Sequence, residues 1–232
     1  MKGEDMTIKF YRVGGWVRDQ ILGVESKDID YSVEAPSYDA MRDEIKSRGG
    51  RIFLETPEYH TIRAKYGDEV VDFVLCRKDG EYKDGRHPEN VEMGTLMDDL
   101  ARRDFTMNAI AIDEEGNYID PHNGQEDIKH GLIRCVGAAE DRFNEDVLRM
   151  LRAIRFCITK SMGLHHAIVD CLETEFFVNK LRYISDERIR EELHKALQHD
   201  TVGTLQVLGE YPLLVPVIFD RGLWLKPTME KR

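Results

Sequence analysis

Hydrophobic and polar positions follow two regimes along the chain: short β-prone runs alternating with helical ones first, then helical periodicity alone. Ile8–Val13 is β-prone, and Gly14-Gly15 opens a helical stretch that stops at Gly23. Asp28–Glu34 predicts a strand, and Ser37 is placed to cap a helix through Arg48, closed by Gly49-Gly50. Three short, turn-separated runs follow, Arg51–Leu54, Thr61–Tyr66 and Glu69–Leu75, as a small mixed sheet requires. The polar, turn-rich RKDGEYKDGRHPEN at 77–90 predicts a mobile surface loop. Thr95–Arg102 reads as helix, Phe105–Ile112 as an apolar segment and Glu114–Asn117 as a turn. Beyond Gly137 only helices are expected. Val147, Leu148, Leu151, Ile154 and Ile158 share one helical face, and Ser185-Asp186-Glu187 marks a capped helix start with Ile189, Leu193 and Leu197 inward. The fold class expected is α+β: a small mixed β-sheet with helices over 1–130, then an all-α domain over 131–232.

Composition narrows the partners. Lys and Arg number 33 against 44 Asp and Glu, a net charge of -11, so any polynucleotide contact must be a local basic strip rather than a general coat. No apolar run approaches the roughly 18–20 residues of a membrane span, which rules out an integral membrane protein, and no membrane partner is expected. Met1–Phe10 lacks the apolar stretch of a secretory signal, so a cytoplasmic address is expected. Cys76, Cys135, Cys157 and Cys171 form no C-x-x-C pair, which points to reduced thiols rather than zinc or disulfides.

Asp28-Ile29-Asp30 is the strongest local feature. On a strand, side chains at i and i+2 share a face, and two carboxylates so placed can hold two divalent cations roughly 3.5–4 Å apart for in-line phosphoryl transfer. Taken alone, such a pair is usually solvated acid. Upstream, Val13-Gly14-Gly15-Trp16-Val17-Arg18-Asp19 puts two glycines at a strand-to-helix turn, where bare amides can meet a phosphate and Arg18 can pair with the same triphosphate. The alternative is a plain turn followed by an Arg18–Asp19 surface pair.

GGWVRD at 14–19, followed by DID at 28–30, closely resembles the first motif of class II CCA-adding enzymes and bacterial poly(A) polymerases, template-independent members of the DNA polymerase β nucleotidyltransferase superfamily. The resemblance continues in order. RKDGEYKDGRHP at 77–88 resembles the family's flexible loop, RRDFTMNA at 102–109 its ribose-binding motif, and DPHNGQEDI at 120–128 the segment joining head to neck. EDVLR at 145–149 resembles the nucleobase-reading motif, and SDERI at 185–189, continuing to Glu192-Leu193, the last neck motif. The resemblance implies a polymerase β-like head over 1–130 and a helical, base-recognising neck over 131–232. The body and tail domains that grip tRNA in the family are absent from these 232 residues.

What the family does is then assigned residue by residue. The resemblance implies catalysis by Asp28 and Asp30 holding two Mg²⁺ ions, with CTP and ATP as substrates and an RNA 3′ end, that of tRNA, as acceptor; DNA is not expected. Gly14, Gly15, Arg18 and Arg103 would meet the nucleotide. Asp104, assisted by Asn108, would accept from the ribose 2′-hydroxyl. Asp84 and Arg86 in the loop would help switch between C and A. Asp72, in VVDF, is either a third metal-binding acid or part of a structural ion pair.

Choosing C and A without a template has its own chemistry. Both bases present an amino donor beside a ring-nitrogen acceptor, so a carboxylate next to a guanidinium accepts them and rejects U and G. Asp146 and Arg149, at i and i+3 on one predicted helix, would supply that pair; the alternative is an intrahelical salt bridge worth only ~0.3–0.5 kcal/mol. Arg149, Arg152 and Arg155 recur every third residue, either as a strip for the triphosphate or RNA end or as a solvated helix face. The histidines show no ligand spacing, and Trp16 and Trp224 read as packing residues. Two other outcomes stay open: poly(A)-type tailing, and an inactive nucleotide- or RNA-binding remnant. A homo-oligomer is compatible with either.

Overall fold

The computed structural model describes residues 7–26, 28–79 and 91–220. The chain divides into two compact units, with the boundary between His130 and Gly131. Among the described residues no helix is long and apolar enough to cross a membrane.

The first unit runs β1 (Lys9–Val13), α1 (Gly15–Ile21), β2 (Ile29–Glu34), α2 (Tyr38–Ser47), β3 (Arg51–Thr56), β4 (Thr61–Tyr66), β5 (Glu69–Leu75), β6 (Arg77–Asp79), β7 (Val91–Met93), α3 (Leu96–Ala101), β8 (Ala111–Ile112), β9 (Tyr118–Ile119) and α4 (Gly124–Lys129). Seven strands form one mixed sheet in the order β3-β4-β5-β2-β1-β8-β9, with β2 and β5 parallel and the remaining neighbours antiparallel. The caps explain several boundaries. The Ser37 hydroxyl accepts from the Ala40 amide at 3.1 Å, and Thr95 and Asp98 form a reciprocal capping box at the start of α3.

Alternation along β2 divides the labour of the sheet. Tyr31 and Val33 turn into a core built from Phe10, Met41, Ile45, Ile62, Val71, Phe73 and Leu75, in which the Tyr31 and Phe73 rings stack at 5.4 Å. Asp30, Ser32 and Glu34 occupy the other face. Asp28 stands just before the strand, which begins at Ile29 rather than at Asp28.

Residues 77–79 depart from the predicted loop. Arg77–Asp79 pairs antiparallel with Val91–Met93, because the polar run is flanked by segments able to close a hairpin. Residues 80–90, with Asp84 and Arg86, lie outside the described residues, as does Trp224.

The second unit comprises β10 (Leu132–Ile133), α5 (Ala139–Glu145), α6 (Arg149–Lys160), β11 (Gly163–Leu164), α7 (His166–Leu172), α8 (Glu175–Lys180), α9 (Asp186–His199), α10 (Thr201–Glu210) and α11 (Leu214–Phe219). Among its described residues it is helical apart from a short parallel pair, Leu132–Ile133 with Gly163–Leu164, which the sequence did not predict. The helical face expected from Val147 onward is also interrupted. Asp146 is extended at φ -149°, ψ 103°, and its Oδ1 accepts from the Leu148 amide at 3.0 Å, so α6 starts only at Arg149. Val147 and Leu148 are buried all the same. At α9, Ser185 occupies the N-cap position but its hydroxyl makes no capping bond; Asp186 and Glu187 complement the helix dipole instead. All four cysteines are free thiols.

Phe73 meets the rings of Phe10, Tyr31 and Tyr66 at the centre of the first core. Phe73→Ala is expected to lower the unfolding free energy by about 3–5 kcal/mol, as measured by denaturant titration.

Candidate active site

The site forms where β1 turns into α1. Gly14 has φ +71°, a conformation that favours glycine, and a Cβ there would lie 3.0 Å from Arg103 Nη1 and 3.7 Å from Asp30 Oδ2. The turn therefore closes on an acid and a cation together. In the sheet, Asp30 stands opposite Val13 on β1 and opposite Asp72 on β5.

Asp28 is exposed and Asp30 half-buried. Burial pushes the Asp30 carboxyl up, and the Asp72 charge adds to this, as does Asp28 more weakly, while Arg103 and Arg63 oppose it. Asp72 is itself held by Arg63 in a two-pronged pair, Nε to Oδ1 at 2.5 Å and Nη2 to Oδ2 at 2.7 Å. Of the two roles open to Asp72, its contacts favour the structural pair. Among the described residues, no group of three or more Asp, Glu, His or Cys side chains is arranged to hold a metal ion by itself.

Behind these acids lies a polar network that joins four of the residues singled out in the sequence: Arg18, Arg103, Asp104 and Asn108. Arg18 is only 6% exposed, so it is no surface partner of Asp19. Its Nε donates to Asp19 Oδ1 at 2.9 Å and its Nη1 to Asn108 Oδ1 at 2.7 Å. Asn108 Nδ2 in turn donates to Asp104 Oδ1 at 2.9 Å, an oxygen that also accepts from the Phe105 amide at 2.8 Å. Arg103 crosses to β2: Nη1 donates to the Asn108 carbonyl at 3.1 Å, and Nη2 donates to Ser32 Oγ at 3.2 Å and Asp99 Oδ2 at 3.0 Å.

Asp99 is fully buried within α3. Oδ2 accepts from Ser32 Oγ at 2.7 Å as well as from Arg103, while Oδ1 accepts from Arg102 Nε at 3.0 Å and from Arg102 Nη2. Burial by itself would raise this carboxyl, but the Arg103 and Arg102 guanidiniums and the Ser32 hydroxyl outweigh it and hold it down at about 2. The sequence reading passed over Asp99 and Ser32. The available signals were the i to i+4 spacing from Asp99 to Arg103 on a helix and the i+2 spacing from Asp30 to Ser32 on a strand.

The segment Asp120–Ile128 buttresses this network from outside. Asp120 accepts from the Gly124 and Gln125 amides at 2.7 and 2.9 Å, and Asp127 Oδ2 accepts from Thr106 Oγ1 at 2.7 Å. Gly124 packs so closely that a Cβ would fall 2.1 Å from the Thr106 carbonyl oxygen.

In the helical unit the expected pairings change. Asp146 and Arg149 do not share a helix: Asp146 lies in the break before α6, and each has a different partner. Arg188 Nη2 donates to Asp146 Oδ2 at 2.7 Å, and Arg149 Nη1 donates to Glu145 Oε2 at 2.6 Å. The basic strip is partly neutralised. Glu192 of α9, 5% exposed, takes Arg155 Nε at 2.5 Å and Arg152 Nη1 at 3.6 Å, so neither arginine lies on a purely solvated face.

The first unit therefore sets two acids, a cation and a glycine turn side by side, while the second holds fixed acid and guanidinium groups on α5, α6 and α9. Residues 10–134, more than half of the chain, match the family described as the poly(A) polymerase head domain. A CCA-adding enzyme from Oceanobacillus iheyensis is 40% identical over 195 residues, covering 83% of this chain and 47% of that relative. Among solved structures, the Bacillus stearothermophilus CCA-adding enzyme in complex with CTP is 32% identical with a TM-score of 0.77, covering 89% of this chain and 49% of that one. A tRNA nucleotidyltransferase complexed with a primer tRNA and an incoming ATP analog is 31% identical with a TM-score of 0.76, covering 92% of this chain and 60% of that one. The chain spans about half the length of the curated relatives it matches.

Two outcomes test this geometry. Gly124→Ala must displace the Thr106 carbonyl, and a loss of about 1–3 kcal/mol is expected in thermal unfolding. A carboxyl that titrates lower when folded than unfolded stabilises the fold above its ordinary pKa of about 4 and loses that contribution as pH falls toward 2. The wild type should therefore lose roughly 2 kcal/mol more than Asp99→Asn between about pH 5 and pH 2 in denaturant titrations.

Proposed function

This chain belongs to the poly(A) polymerase head-domain family, and from that premise we propose that it is the catalytic and nucleotide-selecting part of an enzyme adding C and A to an RNA 3′ end, completing CCA on tRNA in the cytoplasm. One observation carries the reading: Asp30 and Arg103 converge on the Gly14 turn, with Asp28 two residues before Asp30. A phosphate-bearing ligand needs that combination of an acid to hold its metal and a cation for its own charge.

The residues fit Mg²⁺. This ion is commonly held by one or two carboxylates together with substrate phosphates, so the pair Asp28 and Asp30 meets its needs without a third protein ligand. The raised carboxyl of Asp30 also reflects repulsion from neighbouring acids that a cation would relieve. When bound, two such ions would activate the RNA 3′-hydroxyl and neutralise the departing pyrophosphate.

In the reaction the α-phosphorus gains a bond to the 3′-oxygen, which loses its proton, and gives up its bond to pyrophosphate. Arg103 and the amides of Gly14 and Gly15 face the phosphates. Asp104 receives the ribose hydroxyl, and Asn108 fixes the carboxylate for that task. Arg18, buried against Asn108, supports the ribose site from behind. Asp146 and Arg149 read the base edge. Arg188 and the Leu148 amide pin the Asp146 carboxylate, which keeps acceptor capacity for an exocyclic amine, and Glu145 steadies Arg149. Arg152 and Arg155, tied to Glu192, lend positive charge toward nucleotide and RNA.

The deciding experiment incubates the protein with labelled CTP or ATP, Mg²⁺ and tRNA lacking its 3′ CCA. Extension that stops after C-C-A is the expected result; long A tails would reassign the activity to tailing, and no extension would overturn it. Replacing both acids, Asp28→Ala with Asp30→Ala, is expected to abolish incorporation while nucleotide binding measured by calorimetry largely survives. Full-rate transfer by that double variant would remove both acids from the mechanism.

A further inference from the structure

Resting on the placement of Arg103 in the nucleotide site, we infer that Asp99 is the positioning residue that sets this arginine, so that nucleotide affinity depends on a buried carboxylate that never touches the nucleotide. Adjacent arginines at a helix end diverge by about a quarter-turn or more, since successive residues step roughly 100° around the axis. Arg102 and Arg103 nevertheless converge on one group. Asp99 Oδ1 takes Arg102, while Oδ2 takes Arg103 together with Ser32. One negative charge thus holds two positive ones, and the surplus cation meets the Gly14 turn through Nη1, beside Asp30.

The guanidinium is anchored but not exhausted. Nη2 is spent on Asp99 and Ser32 and Nη1 reaches the Asn108 carbonyl, yet Nε is buried with no acceptor among the described residues. Nη1 is the atom that meets the Gly14 turn, so it is the edge of the cation that faces an anionic oxygen supplied by a ligand there. Without Asp99, Nη2 loses its charged acceptor among the described residues, and the side chain can leave the geometry that presents Nη1.

The test is a double-mutant cycle on nucleotide binding, with Asp99→Asn, Arg103→Gln and the double variant titrated calorimetrically with CTP and Mg²⁺, each confirmed folded by circular dichroism. Asp99→Asn and Arg103→Gln should each weaken binding about 10-fold, the scale of one charge-assisted hydrogen bond, and the double variant should bind no worse than Arg103→Gln alone. A purely structural role gives additive losses and overturns the inference, as does wild-type affinity in Asp99→Asn while Arg103→Gln is weak. Wild-type affinity in Arg103→Gln instead overturns the placement of Arg103, and a wild type that binds neither CTP nor ATP overturns the functional reading and this inference with it. Should Asp99→Asn not fold, Ser32→Ala takes its place in the cycle: about 3-fold weaker binding that vanishes in the Arg103→Gln background is expected, and a loss that persists there overturns the inference.

Discussion

A carboxylate with no access to solvent can stay ionised only where cations and hydrogen-bond donors surround it, and Asp99 sits beneath β2 on those terms. Its partners fix the polypeptide in three places: Ser32 at the centre of the sheet, Arg102 at the end of α3, and Arg103 where the chain turns toward Asp104 and Asn108. The same ionic knot therefore sets the distance between the strand carrying Asp30 and the segment carrying the ribose-site residues. The Gly14 turn, at φ +71°, comes so close to Arg103 that a Cβ there would lie 3.0 Å from its Nη1.

Support then spreads outward in layers. Asn108 relays the position of Arg18 to Asp104, and Thr106, two residues after Asp104, is clamped by Asp127 from α4. Side chains held this way lose little freedom on meeting a ligand, which is how a site gains affinity without additional contact area. The aromatic core on the opposite face of the sheet serves the same end. It fixes β2 and β5 in register, so that Asp30 and Asp72 face each other while Arg63 takes up the charge of Asp72.

Charge follows a parallel logic in the helical unit. A chain with a net charge of -11 has little general attraction for a polyanion, so its useful cations must be held in chosen places. Glu192 holds Arg155 and Arg152, Glu145 holds Arg149, and Arg188 holds Asp146. Each functional candidate is pinned by an oppositely charged neighbour. The acidity of the chain is in part the counter-charge of that arrangement.

Local order was legible in the amino-acid sequence. The β2 alternation, the Ser37 cap and the strands Thr61–Tyr66 and Glu69–Leu75 follow from period and propensity, which act between near neighbours. The paired acids Asp28 and Asp30 and the ordered motifs were equally open to reading. What could not be read is the choice of partner for each charge. Spacing suggested Asp146 beside Arg149 on one helix and, as one alternative, Arg18 in a surface pair with Asp19, whereas Asp146 went to Arg188 and Arg18 is buried against Asn108. Asp99 looked like one more acid in a charged helix. A salt bridge depends on distance in three dimensions and on how much water is excluded around it, and neither quantity is carried by a run of neighbouring residues. The sequence by itself determined which groups were available and on which face of their element they lay; only the folded chain decided which were buried, and therefore which opposite charge each was compelled to find.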